Sequence, residues 1–181
     1  MAAEKTLIMI KPDAIERKLA GTILSYFENA GFGIVRLKKG RLSESIAVKL
    51  YRDTETQLTG MGNKTLESMT SAGFSDEIEK IFGSKEPYEI GKKLIQWTRK
   101  FMTSTDIIAM ILEGDDAVRK GRELIGKTDP SKAEKGTIRG DFADDSILNA
   151  NREGRATRNL VHASDSDGAD IETKLFEKEF F

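Results

Sequence analysis

Residues 105–114 read TDIIAMILEG, and they form the clearest strand signal in the chain. Six apolar residues in a row, 107–112, lie between Asp106 and Glu113. A short apolar run between charged residues is typical of a buried β-strand. A similar run, TLIMI at residues 6–10, predicts a second buried strand, which Pro12 ends shortly after Lys11.

Weaker patterns on either side of these two strands complete the fold prediction. The stretches FGIVRLKKGRL (32–42) and RNLVH (158–162) predict two further strands. Helices are predicted at about 19–30, after a cap at Ser43, at 89–102, at 115–126 and from about Ser166. The order predicts an α+β fold: a ferredoxin-like antiparallel sheet (βαββαβ) covered by helices.

The length of 181 residues predicts a single domain covering 1–181. Two polar segments, at about 53–87 and 143–157, interrupt the alternation of strands and helices. The first contains four glycines and ends at Pro87, so we expect a partly helical insertion there. The second segment separates the loop before it from the last strand, and we expect it to be another insertion.

Composition excludes several classes of protein. There are 29 Lys and Arg against 30 Asp and Glu, a net charge of −1, which argues against a general nucleic-acid surface. No apolar run approaches the roughly 18 residues of a membrane span, and the N-terminus lacks the pattern of a signal peptide. There is no cysteine, which excludes disulfides, thiol catalysis and zinc–thiolate sites. A cytoplasmic protein is expected.

One familiar motif is misleading. Residues 121–128, GRELIGKT, satisfy the phosphate-loop pattern G-x-x-x-x-G-K-T. A phosphate loop follows a buried strand and opens a helix, whereas residues 115–120 here are charged and predicted helical. The pattern would therefore lie at the C-terminal end of a helix, and we reject the phosphate-loop interpretation. Arg122 and Thr128 remain candidates for phosphate contacts of a different geometry.

The only histidine, His162, lies in the stretch NLVHASDS (159–166). A lone histidine is more often a surface or core residue than a catalyst. Here Ser164 and Asp165 follow at once, and Glu172 lies ten residues further on a predicted helix. A carboxylate or hydroxyl that holds one ring nitrogen leaves the other as a neutral nucleophile. This setting favours a catalytic histidine.

Several cationic and donor residues accompany that histidine along the chain. Lys11 stands at a strand end, Arg122 lies near the end of a predicted helix with Thr128 just beyond it, and Arg139 lies close to two glycines. Alone, each arginine would be read as a solvated surface charge. Together they suit a polyphosphate whose oxygens need stabilisation during transfer.

Four ordered blocks resemble the nucleoside diphosphate kinase family. They are TLIMIKPDAI (6–15), AMILEGDDAVRKGRELIGKTDP (109–130), KGTIRGDF (135–142) and RNLVHASDS (158–166). The resemblance implies a ferredoxin-like fold and transfer of a γ-phosphate from a nucleoside triphosphate to a nucleoside diphosphate. It also implies a ping-pong route through phosphohistidine, broad base specificity and Mg²⁺ on the phosphates.

The resemblance also implies roles for individual residues. His162 would be the nucleophile, with Ser164 and Glu172 orienting its ring. Lys11 would contact the transferred phosphate and the ribose, and Tyr51 would assist near the γ-phosphate. The remaining roles are α- and β-phosphate binding by Arg122, Thr128 and Arg139, ribose binding by Asn159, and magnesium binding through water by Asp165.

The chain departs from the family pattern at several points. Ala163 replaces the more usual glycine, and Glu172 lies one residue closer to His162 than is usual. The first insertion follows Tyr51 and removes the local pattern around the aromatic residue that stacks on the base. Tyr88 is the first candidate for that platform, with Leu94 or Trp97 as alternatives, and Ala156 is expected on the other side of the base.

Two rival interpretations differ in chemistry. A nucleotide or single-strand binding module would use exposed aromatic residues on the sheet and a basic groove, whereas this chain has no aromatic-rich strand and a slightly negative net charge. A catalytically silent assembly subunit would have lost His162 or a phosphate residue, and all are present. The family resemblance implies a homo-oligomer, usually a hexamer and sometimes a tetramer. Phe176, Phe180 and Phe181 are expected to pack on a neighbouring subunit.

Overall fold

A four-stranded antiparallel sheet forms the centre of the fold. The computed structural model describes residues 3–181. The strands lie in the order β2-β3-β1-β4, and every neighbouring pair is antiparallel. They are β1 (Glu4–Ile10), β2 (Gly33–Arg41), β3 (Asp106–Gly114) and β4 (Val161–Ala163). The ferredoxin-like prediction is confirmed, because β1 and β2 flank β3 and β4 adds on the far side of β1.

Helices connect these strands and cover the sheet. They are α1 (Pro12–Glu16), α2 (Ala20–Asn29), α3 (Glu44–Leu50), α4 (Glu55–Ser71), α5 (Ile78–Phe82), α6 (Pro87–Met102), α7 (Ala117–Ile125), α8 (Ile138–Phe142), α9 (Ile147–Arg152) and α10 (Ala169–Glu179). The predicted cap at Ser43 is present, since its hydroxyl accepts a hydrogen bond from the Ile46 amide at 3.2 Å. Within residues 3–181, no helix has the length and apolar character to cross a membrane.

The two central strands are apolar throughout because both of their faces are buried. On one face, Ile8 and Ile10 pack in a cluster with Phe27, and on the other, Leu7 and Met9 pack with Phe176. Strand β1 pairs with β3 from Glu4 opposite Gly114 to Ile10 opposite Ile108. This double burial explains why residues 6–10 and 107–112 showed no polar alternation.

The first insertion is more helical than the sequence suggested. It contains α4, a helix of 17 residues, and α5, and it leads into α6 at Pro87. Helices α4 and α6 cross in close contact at two glycines. A Cβ on Gly62 would lie 1.8 Å from the Pro87 carbonyl oxygen, and one on Gly91 would lie 2.1 Å from that of Leu58. These glycines are therefore crossing points and not helix breakers.

The two insertions pack against each other. A third apolar cluster contains Phe82 of the first segment, Trp97 of α6 and Leu148 of α9. Arg152, at the end of α9, donates two hydrogen bonds to the carboxylate of Glu77, at 2.8 and 3.1 Å. Its guanidinium also lies 3.9 Å from the centre of the Phe74 ring. Residues far apart in sequence thus form one packed unit.

The C-terminal phenylalanines pack within their own chain. Phe176 is fully buried and Phe180 is 6% exposed, both in the cluster on the second face of the sheet. Phe181 is partly buried against the same cluster. The main-chain oxygen of Phe180 also accepts a hydrogen bond from Lys38 of β2 at 2.6 Å. The expectation that these rings pack on a neighbouring subunit is therefore wrong for Phe176 and Phe180.

Candidate active site

A cleft of about 1180 Å³ opens beside His162. His162 lies on β4 directly opposite Met9 of β1, so the sheet fixes its backbone. Its side chain is 19% exposed and lines the cleft. The cleft also contains nine of the other residues singled out from the sequence: Lys11, Tyr51, Arg122, Thr128, Arg139, Asn159, Ala163, Asp165 and Glu172.

One carboxylate holds both the histidine ring and a neighbouring serine. Glu172 Oε2 lies 2.9 Å from His162 Nε2 and accepts a hydrogen bond of 2.5 Å from Ser164 Oγ. A carboxylate only accepts, so Nε2 carries the proton and Nδ1 carries the lone pair. No hydrogen bond to Nδ1 is found within residues 3–181. The shortened spacing between His162 and Glu172 therefore still brings the two side chains together.

Lys11 begins a chain of polar contacts along the cleft. Its ammonium donates to Asn159 Oδ1 at 2.7 Å, and Asn159 Nδ2 donates to the Thr128 carbonyl at 2.9 Å. Lys11 is only 8% exposed. Burial, reinforced by the positive charge of Arg139 and opposed by Asp13, lowers the pKa of Lys11 to about 8. The predicted ribose and phosphate residues are thus brought together.

Arg139 is engaged mainly with main-chain oxygens around the cleft. Its guanidinium donates to Asn159 O at 3.0 Å, to Gly126 O at 2.9 Å and to Val161 O at 2.7 Å. Burial and nearby Arg122 lower the pKa of Arg139 to about 10, so it stays cationic at neutral pH. A guanidinium has five N–H donors, so two remain for another acceptor.

Arg122 and Thr128 lie at the C-terminal end of α7 and just beyond it. Helix α7 ends at Ile125, and Gly126 follows with a φ of 86°. The GRELIGKT stretch therefore spans a helix end and not a strand-to-helix turn, which confirms that the phosphate-loop interpretation had to be rejected. Both side chains are exposed in the cleft, where they are free to contact a ligand.

Tyr51 lies edge-on against the catalytic candidate. The ring centres of Tyr51 and His162 are 5.9 Å apart, at an interplanar angle of 75°. The Tyr51 hydroxyl is buried without a hydrogen-bond partner among the described residues. Burial, with a smaller contribution from Glu172, raises the pKa of Tyr51, so the hydroxyl keeps its proton and remains a donor.

Sequence reasoning missed the residue that holds Tyr51. Arg99, on α6, donates to the Tyr51 carbonyl oxygen through Nε at 3.1 Å and Nη2 at 2.5 Å. Its Nη1 donates to Asp53 at 3.3 Å. Tyr51 caps the C-terminus of α3, where carbonyls lack helical partners and a cation is favourable. An arginine bound to a main-chain oxygen leaves no sequence motif.

Sequence reasoning also missed Asp13, in the stretch KPD after β1. Leu160 adopts a left-handed conformation with a φ of 67°, which is unfavourable for a branched side chain. Asp13 Oδ2 accepts a hydrogen bond from the Leu160 amide at 3.0 Å, and the Lys11 amide donates to the Leu160 carbonyl at 2.8 Å. Burial raises the pKa of Asp13, and the charge of Lys11 opposes that change.

Asp165 is the expected magnesium residue. Its Oδ1 accepts a hydrogen bond from the Gly168 amide at 2.7 Å, and the side chain lines the cleft. The described residues contain no cluster of three metal-ligating side chains. A single carboxylate that lines the cleft fits Mg²⁺, which commonly keeps several waters and binds through one or two carboxylates and substrate phosphates.

The expected base platform is not in the cleft. Tyr88, at the start of α6, does not line it, contrary to expectation; its ring lies 5.0 Å from the Lys92 ammonium. Leu94 and Trp97, the alternatives, pack in the cluster of the first insertion. Ala156 is also not among the residues that line the cleft. None of these four side chains therefore lies in the cleft beside His162.

Comparison with known proteins shows which family this chain resembles in sequence. The sequence profile of the nucleoside diphosphate kinase family matches residues 4–75 and 75–180. The nucleoside diphosphate kinase of Pyrobaculum aerophilum is 44% identical over 166 residues, which are 92% of this chain and 90% of that protein.

Solved structures of nucleoside diphosphate kinases have the same fold as this chain. The crystal structure of an NDP kinase from Pyrobaculum aerophilum matches with a TM-score of 0.92 and 38% identity, over 98% of this chain and 97% of that one. A Borrelia burgdorferi nucleoside-diphosphate kinase, solved as a transition-state mimic with vanadate and ADP, matches with a TM-score of 0.73 and 29% identity, over 98% and 88%. The chain belongs to the nucleoside diphosphate kinase family, and it is a phosphotransferase.

Proposed function

We propose that His162 is the nucleophile through which this kinase moves a γ-phosphate from a nucleoside triphosphate to a nucleoside diphosphate. One observation carries the proposal: Glu172 engages Nε2 of the ring and leaves Nδ1 unengaged in a cleft that also holds Lys11, Arg122 and Arg139. A neutral imidazole with one nitrogen held and the other free is suited to attack on phosphorus.

The reaction consists of two successive transfers of the phosphoryl group, first to His162 and then to a second nucleoside diphosphate. Nδ1 of His162 attacks the γ-phosphorus, the bond from phosphorus to the β–γ bridging oxygen breaks, and the nucleoside diphosphate leaves. A terminal oxygen of a second nucleoside diphosphate then attacks the phosphorus, and the N–P bond breaks. The Nε2 proton stays on the ring in both halves, where the Glu172 carboxylate stabilises the positive charge that develops.

The cations and donors of the cleft support roles in holding the phosphates. Arg122 and Thr128 are exposed to a ligand, and Arg139 has two N–H groups to spare beyond its three main-chain contacts. We assign these three residues to the α- and β-phosphates. Lys11 is assigned to the transferred phosphate and the ribose, and Tyr51 is assigned to the γ-phosphate through its unpartnered hydroxyl.

Asn159 is assigned to the ribose 3′-hydroxyl, since its side chain faces Lys11 and the Thr128 carbonyl. Asp165 would hold Mg²⁺ through water, because it offers one carboxylate beside the proposed phosphate site. When bound, the metal would neutralise charge on the phosphate oxygens. The cleft lining described here includes no aromatic ring except those of Tyr51 and His162, which accords with tolerance of different bases.

Assembly and location complete the proposal. We propose a homo-oligomer, with a hexamer as the first expectation and a tetramer as the second. The edge strand β2 supports association, because Ile34 and Leu37 are 40% and 47% exposed on it. Light scattering after size exclusion measures the assembly. The cytoplasm, where nucleotide pools are balanced, is the location that this activity implies.

The test is to mix the protein with γ-labelled ATP and Mg²⁺ and to isolate the labelled chain. The expected product is a label on His162 that acid removes and alkali does not. A wild-type protein that binds ADP but takes no label would instead indicate a binding module, and a protein that does neither would indicate a silent homologue.

A further inference from the structure

The loop between His162 and Glu172 turns at Gly168, which caps the N-terminus of α10. The Gly168 amide donates to Asp165 Oδ1 at 2.7 Å, and its carbonyl accepts from the Glu172 amide at 2.8 Å. Residue 168 thus has main-chain contacts to the two acidic residues that flank the cleft.

The side chains of the same two residues also crowd this glycine. A Cβ on Gly168 would lie 3.0 Å from Asp165 Oδ1 and 3.1 Å from Glu172 Oε1. These distances are shorter than most carbon–oxygen contacts, so a methyl group there would require the two carboxylates to give way by a few tenths of an ångström. Glu172 uses its other oxygen, Oε2, to hold His162 and Ser164.

Backbone conformation does not explain the glycine. Its φ is −96° and its ψ is −23°, which any residue adopts without strain. Nor does main-chain packing explain it, because the crowding atoms belong to the two carboxylate side chains. The missing side chain at residue 168 therefore leaves room for the carboxylates of Asp165 and Glu172.

We propose that Gly168 is a positioning residue, whose missing side chain lets the Glu172 carboxylate reach His162 across this short loop. The inference rests on the proposed role of His162. The absence of a Cβ leaves room for the Glu172 carboxylate at the place where its Oε2 meets Nε2 of the ring. Displacement of that carboxylate by a few tenths of an ångström would weaken its hold on the ring and lower the rate of phosphate transfer.

The test compares Gly168→Ala with Gly21→Ala. Gly21 is in α2, and a Cβ there would meet no atom within 4 Å, so the pair separates the effect of a methyl group from the effect of its surroundings. Gly21→Ala should keep or raise the melting temperature, since Ala restricts the unfolded chain more than Gly does. Gly168→Ala should fold with a slightly lower melting temperature, because its methyl group crowds the two carboxylates at the start of α10. The rate at which label from γ-labelled ATP appears on His162 should fall about tenfold in Gly168→Ala and stay unchanged in Gly21→Ala.

A spectroscopic measurement tests the cause independently of activity. Because the chain has a single histidine, ¹⁵N-histidine labelling reports one imidazole. The wild type should show a proton on Nε2 and none on Nδ1, and Gly168→Ala should shift the ring towards a mixture of tautomers. ADP affinity, measured by calorimetry, should change less than twofold.

A double-mutant cycle with Glu172→Asp tests whether the effect passes through Glu172. The shorter side chain withdraws the carboxylate from residue 168, so Gly168→Ala should lower the rate less in that background than in the wild type. Equal effects in both backgrounds would overturn the proposal. So would a Gly168→Ala protein that does not fold, or one whose labelling rate and imidazole spectrum match the wild type. If the wild type itself takes no label, the proposed function fails instead.

Discussion

The guanidinium of Arg99 donates two hydrogen bonds to one main-chain oxygen, that of Tyr51. Tyr51 in turn lies edge-on against His162. Arg99 lies near the end of α6, after the first segment. It therefore holds the backbone of Tyr51, whose side chain lines the cleft. We therefore expect Arg99 to influence the reaction through the position of Tyr51.

Replacing Arg99 by Met should slow phosphorylation of His162 about tenfold with little change in ADP affinity, because Tyr51 would lose its fixed position. Loss of hydrogen bonds from a charged donor should also lower the free energy of unfolding by about 2 kcal/mol. Rapid-quench labelling and urea unfolding measure the two effects. The matched control is Lys100→Met, which removes an exposed cation from the same helix. Equal behaviour of the two variants would contradict the role of Arg99.

Replacing His162 by Ala should abolish transfer and leave the fold in place. The His162 side chain is partly exposed, and Glu172 keeps its hydrogen bond from Ser164, so the loss of stability should not exceed about 1 kcal/mol. Thermal unfolding and ADP calorimetry should resemble the wild type. An unfolded variant would show that the residue serves packing instead of chemistry.

The pKa of Lys11 predicts how nucleotide affinity depends on pH. Its folded-state pKa is about 8, against an ordinary value of 10.5. Above pH 8 the ammonium loses its proton, so triphosphate affinity should fall as the pH rises from 7 to 9. Lys11→Met should bind more weakly throughout and lose this dependence. A wild-type affinity that stays constant across the range would refute the assignment of Lys11 to phosphate.

The free energy of unfolding should respond to pH in the opposite way, rising between pH 8 and 10.5 where triphosphate affinity falls. Between pH 8 and 10.5 the unfolded chain binds more protons at Lys11 than the folded chain, so the free energy of unfolding rises with pH from this residue. The full contribution, on the order of 3 kcal/mol, is present above 10.5 and is lost as the pH falls through 8. Comparison of wild type and Lys11→Met by urea unfolding isolates it.

Replacing Asp13 by Asn should destabilise the protein by about 3 kcal/mol, because Lys11 and Arg139 would remain buried without their shared counter-charge. The same change should lower the pKa of Lys11 further, since Asp13 raises it. The midpoint of the pH dependence of nucleotide affinity should therefore move below 8. The control is Glu16→Gln, which neutralises an exposed carboxylate on the same helix. A midpoint that stays in place would argue against coupling between Asp13 and Lys11.

The fold could be predicted where burial leaves a mark on the sequence. Strands β1 and β3 are buried on both faces, and uninterrupted apolar runs report that directly. The length of α4 was missed because Gly62 looks like a helix breaker, whereas it marks a crossing with another helix. The need for glycine at residue 62 becomes visible only from the position of α6, so no local sequence pattern could have predicted it.

The cleft was predictable where a side chain itself lines it. The position of His162 and its cationic neighbours followed from residue types and family blocks. Arg99 and Asp13 escaped notice because they act on main-chain atoms, the Tyr51 carbonyl and the Leu160 amide, which have no signature in sequence. Tyr88 was predicted from its place after a long polar segment, and the structure places its ring beside the Lys92 ammonium and outside the cleft lining.

The contact between α9 and the first insertion limits how this chain can be re-engineered. If residues 143–157 were exchanged for the counterpart of a relative with a different first insertion, Glu77 and the Phe74 ring would lose Arg152. The reverse exchange would leave Arg152 without either companion. The two segments must therefore be transplanted together, although α6, β3, α7 and α8 separate them in the sequence.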